Sequence, residues 1–351
     1  MIDTLEIYAD ITHDTYDNLY HLIDIAAKNT SQNKQPLHKY KPHSYKTTAF
    51  QRSGVLEIAF CKNKKFKRYT IRLKLKPIRF LHSGSNIKLS ESHDFEKISR
   101  RFQEFLSSNF GEYVSDLPSS LGEWKVTRID YAINIPTQNA GTYIKLFHFG
   151  LQPKACKSPP EYETSYYLKG TEYNVNFYNK MRQVAETRNI SVDDILGEMD
   201  YSLVGILRLE IQCKSKYIYR FVEKKRIPSP NLQYLWNKEL AEWCLKKTVK
   251  RLIGIEDIRS ISANWKKLRE KNCSNKFCAD SFKFMDSFIQ YPDISLEDIV
   301  QSVPYPQKVK VLVSKLRKKG INPIPLDAIY DTEAVDEDFV LKNPYHLIQF
   351  D

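Results

Sequence analysis

The sequence predicts an α+β fold: an antiparallel sheet with flanking helices over residues 1–226, followed by a mostly helical region. Three observations predict it. Segments with an apolar residue at every second position recur through the first part, the mark of half-buried strands. Segments with apolar residues at helical spacing lie between them. The run Ile227-Pro228-Ser229-Pro230 then breaks the pattern, and beyond it only helical periodicity is found.

Taken in order, Leu5, Ile7, Ala9 and Ile11 alternate with Thr4, Glu6, Tyr8 and Asp10 in a first strand. A helix follows with Leu19, Leu22, Ile23 and Ala26 on one face. Strands are expected at GVLEIAFC and at RYTIRLKLK (Arg68–Lys76). In the latter, Ile71, Leu73 and Leu75 give an apolar face, and Arg72, Lys74 and Lys76 a cationic one. A helix from about His93 to Asn109 buries Phe95, Ile98, Phe102, Phe105 and Leu106. RIDYAINI (Arg128–Ile135) reads as a core strand ended by Pro136. Thr164 to Lys180 reads as a hairpin turning at Gly170, and after a polar helix ILRLEIQC (Ile206–Cys213) is a second core strand.

In the helical region, Ser295 and Asp298 have the spacing of a capping box. Val309, Leu312, Val313 and Leu316 stripe a helix that carries Lys315, Arg317, Lys318 and Lys319 and stops at Gly320. The expected domains are residues 1–226, residues 231–331, and a loosely attached acidic tail over 332–351 with Glu333, Asp336, Glu337 and Asp338.

Composition narrows the function classes. Lys and Arg number 54 against 42 Asp and Glu, a net charge of +12 that points to a polyanionic partner. No apolar run approaches the ~20 residues that span a bilayer. MIDTLEIYAD carries acids where a signal peptide carries bases, so a cytoplasmic protein is expected. Six cysteines in 351 residues do not make a disulfide framework, and Cys273-x4-Cys278 lacks the second pair that zinc requires.

The two core strands share an oddity. Side chains two apart on a strand project to one side, so Arg128 goes with Asp130 and Arg208 with Glu210. In YNVNFYNK, Val175 and Phe177 share one face while Asn174, Asn176, Tyr178 and Lys180 are expected on the other. A tyrosine, two carboxylates and several cations are the inventory for metal-assisted phosphoryl transfer to a tyrosyl oxygen. A phenol with a pKa of about 10 needs help to attack at neutral pH. A nearby Lys favours its charged form. Two carboxylates suit one hard divalent cation, Mg²⁺ or Mn²⁺, with waters completing its shell. Arg side chains neutralise charge on the phosphate oxygens. The competing reading is structural: an Arg and an acid two apart on a strand also make cross-strand ion pairs, worth roughly 0.2–1 kcal/mol when exposed.

RID, then a hairpin ending in aromatic-Tyr-x-Lys, then LRLE, resembles the rolling-circle replication initiators of filamentous phages, the gene II family. The opening MID is similar to theirs, as is LKPIRFLHSGSNIKL with Gly84 and Asn86. Related patterns occur in plasmid initiators and conjugative relaxases. The resemblance covers about Met1 to Arg226 and implies site-specific nicking and closing of a double-stranded origin. It assigns Tyr178 as the nucleophile that forms a 5′-phosphotyrosyl bond and releases a 3′-OH primer. Asp130 and Glu210 would hold the metal, Arg128 and Arg208 would support the carboxylates or the phosphate, and Lys180 would sit beside the tyrosine.

The His-hydrophobic-His motif of other nicking enzymes is absent, and His148 in LFHFG is expected to be a packed or capping residue. The third metal ligand stays open between Asp3 and Glu6. Double- and single-stranded origin DNA are the expected partners. Arg72, Lys74 and Lys76 would track phosphates, and Tyr69 would stack on an unpaired base. The helical region is expected to bind DNA, to dimerise, or to dock a host helicase or polymerase. Two other readings stand beside this one: a conjugative relaxase with the same chemistry, and a non-enzymatic DNA-binding repressor or copy-control protein.

Overall fold

The computed structural model describes the chain apart from residues 31–35, 64, 83–86, 154–155, 158–161, 193–204, 292–293, 331–337 and 351. Gly84, Asn86, Glu333, Asp336 and Glu337 therefore lie outside the described residues. The fold is α+β, as the sequence predicts. Ten strands are hydrogen-bonded in the order β2-β3-β4-β5-β1-β6-β10-β9-β8-β7. They are β1 (Ile2–Ile11), β2 (His38–Lys41), β3 (Ser44–Thr47), β4 (Val55–Asn63), β5 (Arg68–Leu75), β6 (Lys125–Pro136), β7 (Cys156–Lys157), β8 (Ser165–Gly170), β9 (Tyr173–Asn179) and β10 (Ile206–Lys214).

The described residues form two compact units built from interleaved segments: 1–133, 171–174 and 210–241 in one, 134–170, 175–209 and 242–351 in the other. In the first, β1 pairs antiparallel with β5 and with β6. The period-2 pattern is realised on both neighbours: Leu5, Ile7, Ile71, Leu73, Leu75 and Ile129 are all buried. Helices α1 (His13–Thr30) and α2 (Phe95–Phe110) contribute Leu19, Ile23, Ile98, Phe102 and Leu106 to the core. Tyr16 meets Phe60 edge-on with centroids 5.6 Å apart, and Phe102 meets Trp124 at 5.7 Å. Helix α5 (Ser215–Lys225) continues directly from β10.

In the second unit, α3 (Ala140–His148) sets Phe147 against Phe177 at 4.5 Å. His148 packs on Tyr166 at 5.2 Å and shares a 3.3 Å hydrogen bond with the Ser165 carbonyl, which is the packed role expected for it. Gly150 must be glycine, because a Cβ there would lie 2.9 Å from the Leu252 carbonyl oxygen. The helical region starts its helices on serine caps: the Ser260, Ser274 and Ser295 hydroxyls accept from the amides of Ala263, Phe277 and Asp298. The expected capping box at Ser295 and Asp298 is present. The striped helix runs from Pro306 to Lys318, and Gly320 follows it at φ +69°, the left-handed stop.

One expectation is corrected. The end of the chain is no loose tail over residues 338–350, since Leu341 exchanges backbone hydrogen bonds with Ile258 and Asn343 is buried on the Glu256 carbonyl. The acidic residues suggested solvation, but Leu341 and Ile348 carry enough apolar surface to anchor the segment.

Candidate active site

Asp130 lies in the middle of β6 and is completely buried. Fully burying an Ile there would stabilise by about 1.5–3 kcal/mol. An ionised carboxylate forfeits that gain and adds a desolvation penalty of several kcal/mol before any partner is counted. The partner is Arg128, whose Nε and Nη2 donate to the two Asp130 oxygens at 2.8 and 2.6 Å. This fork is the same-side arrangement that the strand period predicts, and it is bidentate. Arg128 Nη1 also reaches Glu6 at 3.3 Å across the β1–β6 ladder, where Glu6 stands opposite Arg128.

Glu210 on β10 is also buried, with 5% of its surface exposed, and accepts 2.8 Å from Gln212. Its negative charge bears on Asp130, as does that of Asp3. Burial is the largest influence on Asp130; it overrides the pull of Arg128 and, with Glu210 and Asp3 adding to it, pushes the carboxyl up to about 8. Arg128, between these acids, is held above its ordinary value by Asp130, Glu6 and Glu210 against its own desolvation. Strand alternation alone would send Asp3 to the core side with Leu5. The β1–β6 register shifts between Ile2 and Leu5, beside Asp3. Asp3 accepts from Thr4 at 2.9 Å and pairs with Lys76 at 3.7 Å.

The pKa of Asp130 carries a stability consequence. Raised from 3.8 to about 8, it leaves a proton on the folded protein that the unfolded chain has already released. Stability from this group therefore falls as pH rises from about 4 toward the raised folded value and is level above it. Asp130→Asn removes the contribution. Urea midpoints measured from pH 5 to 8 should fall more steeply for the parent than for the variant, and parallel profiles would mean that Asp130 ionises as it does in water.

Tyr178 is half-buried near the end of β9, in the second unit. Lys180 differs from the expectation of a strand residue. It opens α4 (Lys180–Arg188), because Asn179 ends the strand by capping the amide of Arg182 at 3.2 Å. Its ammonium still comes within 5.6 Å of the Tyr178 ring centroid and donates 2.7 Å to Gln183, with only 3% of the residue exposed. Arg208 is completely buried and donates 2.8 Å from Nε to the Asn134 side chain.

The cationic face of β5 divides into two. Lys74 stands opposite Glu6 on β1 and Glu57 on β4, and Lys76 is paired with Asp3. Arg72 stands opposite Tyr8 and Ala59, neither of them acidic. Tyr69 is on the other side of the strand, edge-on to His13 at 4.9 Å and Tyr16 at 5.4 Å. The aromatic that faces the same way as Arg72 is its ladder partner Tyr8. Tyr8 was visible in the sequence as a member of the polar face of the first strand, but its partner was not.

Among the described residues, no group of three His, Cys, Asp or Glu is arranged to hold a metal ion. The donor set that exists is two buried carboxylates, Asp130 and Glu210, with Asp3 acting on Asp130. Each Asp130 oxygen has a second lone pair beyond the one Arg128 uses, and carboxylate oxygens are the donors a hard cation that keeps several waters takes.

No protein-family model matches the chain, and no curated protein matches it. Among solved structures it is similar to a rolling circle replication initiator protein from Geobacillus stearothermophilus, with a TM-score of 0.34 and 10% identity over 72% of this chain and 84% of that one. A likeness at that level decides nothing about function. No helix among the described residues is long and apolar enough to cross a membrane.

Proposed function

We propose that this chain nicks and rejoins DNA by tyrosine transesterification, as an initiator of rolling-circle replication. The observation that supports this most is Asp130: a wholly buried acid in a core strand, held by an arginine fork and acted on by two further carboxylates. An arrangement that costs several kcal/mol of desolvation is poor as a stabilising device and well suited to gathering a cation.

In this reading the Tyr178 oxygen attacks the scissile phosphorus, its proton passes to solvent, and the departing 3′ oxygen takes a proton from solvent. The bond from phosphorus to the 3′ oxygen breaks, leaving a 5′-phosphotyrosyl link and a 3′-OH. Lys180 favours the phenolate through its charge. Asp130 and Glu210 would hold Mg²⁺ or Mn²⁺, and Arg128 fixes the orientation of Asp130 and keeps the like charges tolerable without it. When bound, the metal polarises the phosphate and offsets the charge that gathers on its oxygens. Arg208 is the second cation assigned to the carboxylates or the phosphate. Because the link conserves the phosphodiester energy, the reverse attack by a 3′-OH closes the strand without ATP.

The deciding experiment incubates the protein with supercoiled plasmid carrying a random-sequence insert library and Mn²⁺ or Mg²⁺. The expected products are nicked circles that keep protein attached after denaturation. Nicking without an attached protein would indicate a hydrolytic nuclease, and binding without nicking a repressor.

Affinity for DNA should fall with salt, in log affinity per log salt by roughly 0.9 for each phosphate neutralised on a duplex and about 0.7 on a single strand. Replacing Arg72, Lys74 and Lys76 by Gln should flatten that slope, with most of the change coming from Arg72, since acids flank the two lysines. Fluorescence anisotropy across a KCl series measures it, and an unchanged slope would make this face merely solvated.

A further inference from the structure

Within the first unit a cleft of about 540 Å³ opens on the Arg72 side of the sheet. Lys41, Lys62, Arg68 and Arg72 line it with Tyr8 and Tyr219, and no carboxylate is among the lining residues. Arg68 is answered from outside by Asp10, at 2.6 and 3.1 Å, and the Lys62 ammonium lies 4.8 Å from the Tyr69 ring on the other face, so the net positive charge of the cleft rests on Lys41 and Arg72. The neighbours of Arg72 on both adjoining strands are uncharged. The Tyr8 ring lies within 5.6 Å of the Arg68 guanidinium and 5.7 Å of the Lys125 ammonium. Tyr219, on α5, is 50% exposed although it is a large aromatic residue, and it lines the cleft together with Tyr8.

These features have one chemistry in common. An exposed ring beside a second aromatic ring is a stacking platform, and cations in a lining without acids suit phosphates. The volume is that of a small-ligand site and too small for the stacked pairs of a duplex. We propose that the cleft takes an unpaired nucleotide of single-stranded DNA, its base stacked on Tyr219 and Tyr8 and its flanking phosphates held by Lys41 and Arg72. The inference builds on the DNA-nicking reading by naming where the displaced or unpaired strand is gripped, and it is tested without cleavage so that either can fail alone.

Cys61 lines the same cleft and is half-buried, while Cys273 is a half-buried thiol elsewhere in the chain. The full chain is treated with N-ethylmaleimide in EDTA, with and without a (dT)12 oligonucleotide, and both thiols are followed by mass spectrometry. The oligonucleotide should slow modification of Cys61 and leave Cys273 unchanged, whereas equal concentrations of dTMP or of a 12-bp duplex should shield neither. Tyr219→Ala should weaken (dT)12 binding about tenfold, as the loss of one stacked base does, and abolish the shielding. Arg72→Gln provides a second exposed variant should the first fail to fold. Unchanged Cys61 reactivity, equal shielding by duplex or dTMP, or unaltered affinity in both variants would overturn the assignment. Since EDTA suppresses metal-dependent nicking, a negative result here leaves the nicking reading standing, and a failure to nick leaves this one.

Discussion

Tyr178→Phe is expected to abolish the covalent protein–DNA adduct while leaving the fold and duplex binding intact. The substitution removes one oxygen from a half-buried ring and keeps every carbon that packs, so stability should change by less than about 1.5 kcal/mol. Lys180 retains its bond to Gln183 and its place over the ring. Without a nucleophile, the nicking rate should fall on the order of 10⁴-fold or more, as it does when covalent catalysis is removed from other enzymes. Gel analysis after denaturation, with a radiolabelled strand, reads the adduct directly. A persisting adduct would assign the chemistry to another tyrosine. Tyr166 is a poor candidate, being buried with its ring 5.8 Å from Phe147; the half-exposed Tyr167 of the same strand is the better one.

The second large effect concerns the acids. Asp130→Asn and Glu210→Gln keep size and shape and remove the charge that would hold a cation. If the pair binds metal, the Mn²⁺ concentration needed for half-maximal nicking should rise tenfold or more, or nicking should disappear, with duplex binding preserved by surface cations remote from Asp130. If Asp130 is only the partner of Arg128, a different result follows. Removing one member of a buried pair strands the other charge, at a cost of about 3–5 kcal/mol. Arg128 keeps Glu6 at 3.3 Å, so the loss for Asp130→Asn should lie toward the lower end of that range. Melting temperature and metal titration measured on the same two proteins separate the cases. Reduced stability with an unshifted titration would sink the metal-site reading.

The sequence by itself determined what depends on near neighbours along the chain. Alternation in LEIYADI, RYTIRLKL and RIDYAINI gave the buried faces of β1, β5 and β6, and it placed Arg128 and Asp130 on one side, where they form a fork. The capping box at Ser295 and the stop at Gly320 were equally legible, since both are set within one helical turn. Lys180 marks the limit of the period-2 rule, because the Asn179 cap turns the chain into a helix one residue earlier than alternation implies. What only the tertiary structure decided is who stands across from whom. Lys74 meets two acids and Arg72 none, a difference set by register with strands far away in sequence. The register shift beside Asp3 leaves no trace in the alternation, and the cleft brings together Tyr8 and Tyr219, residues more than two hundred positions apart. Side-chain direction is a local property of the backbone, whereas desolvation, pairing and the acid-free lining of a cleft belong to surfaces that exist only once the strands have been brought together.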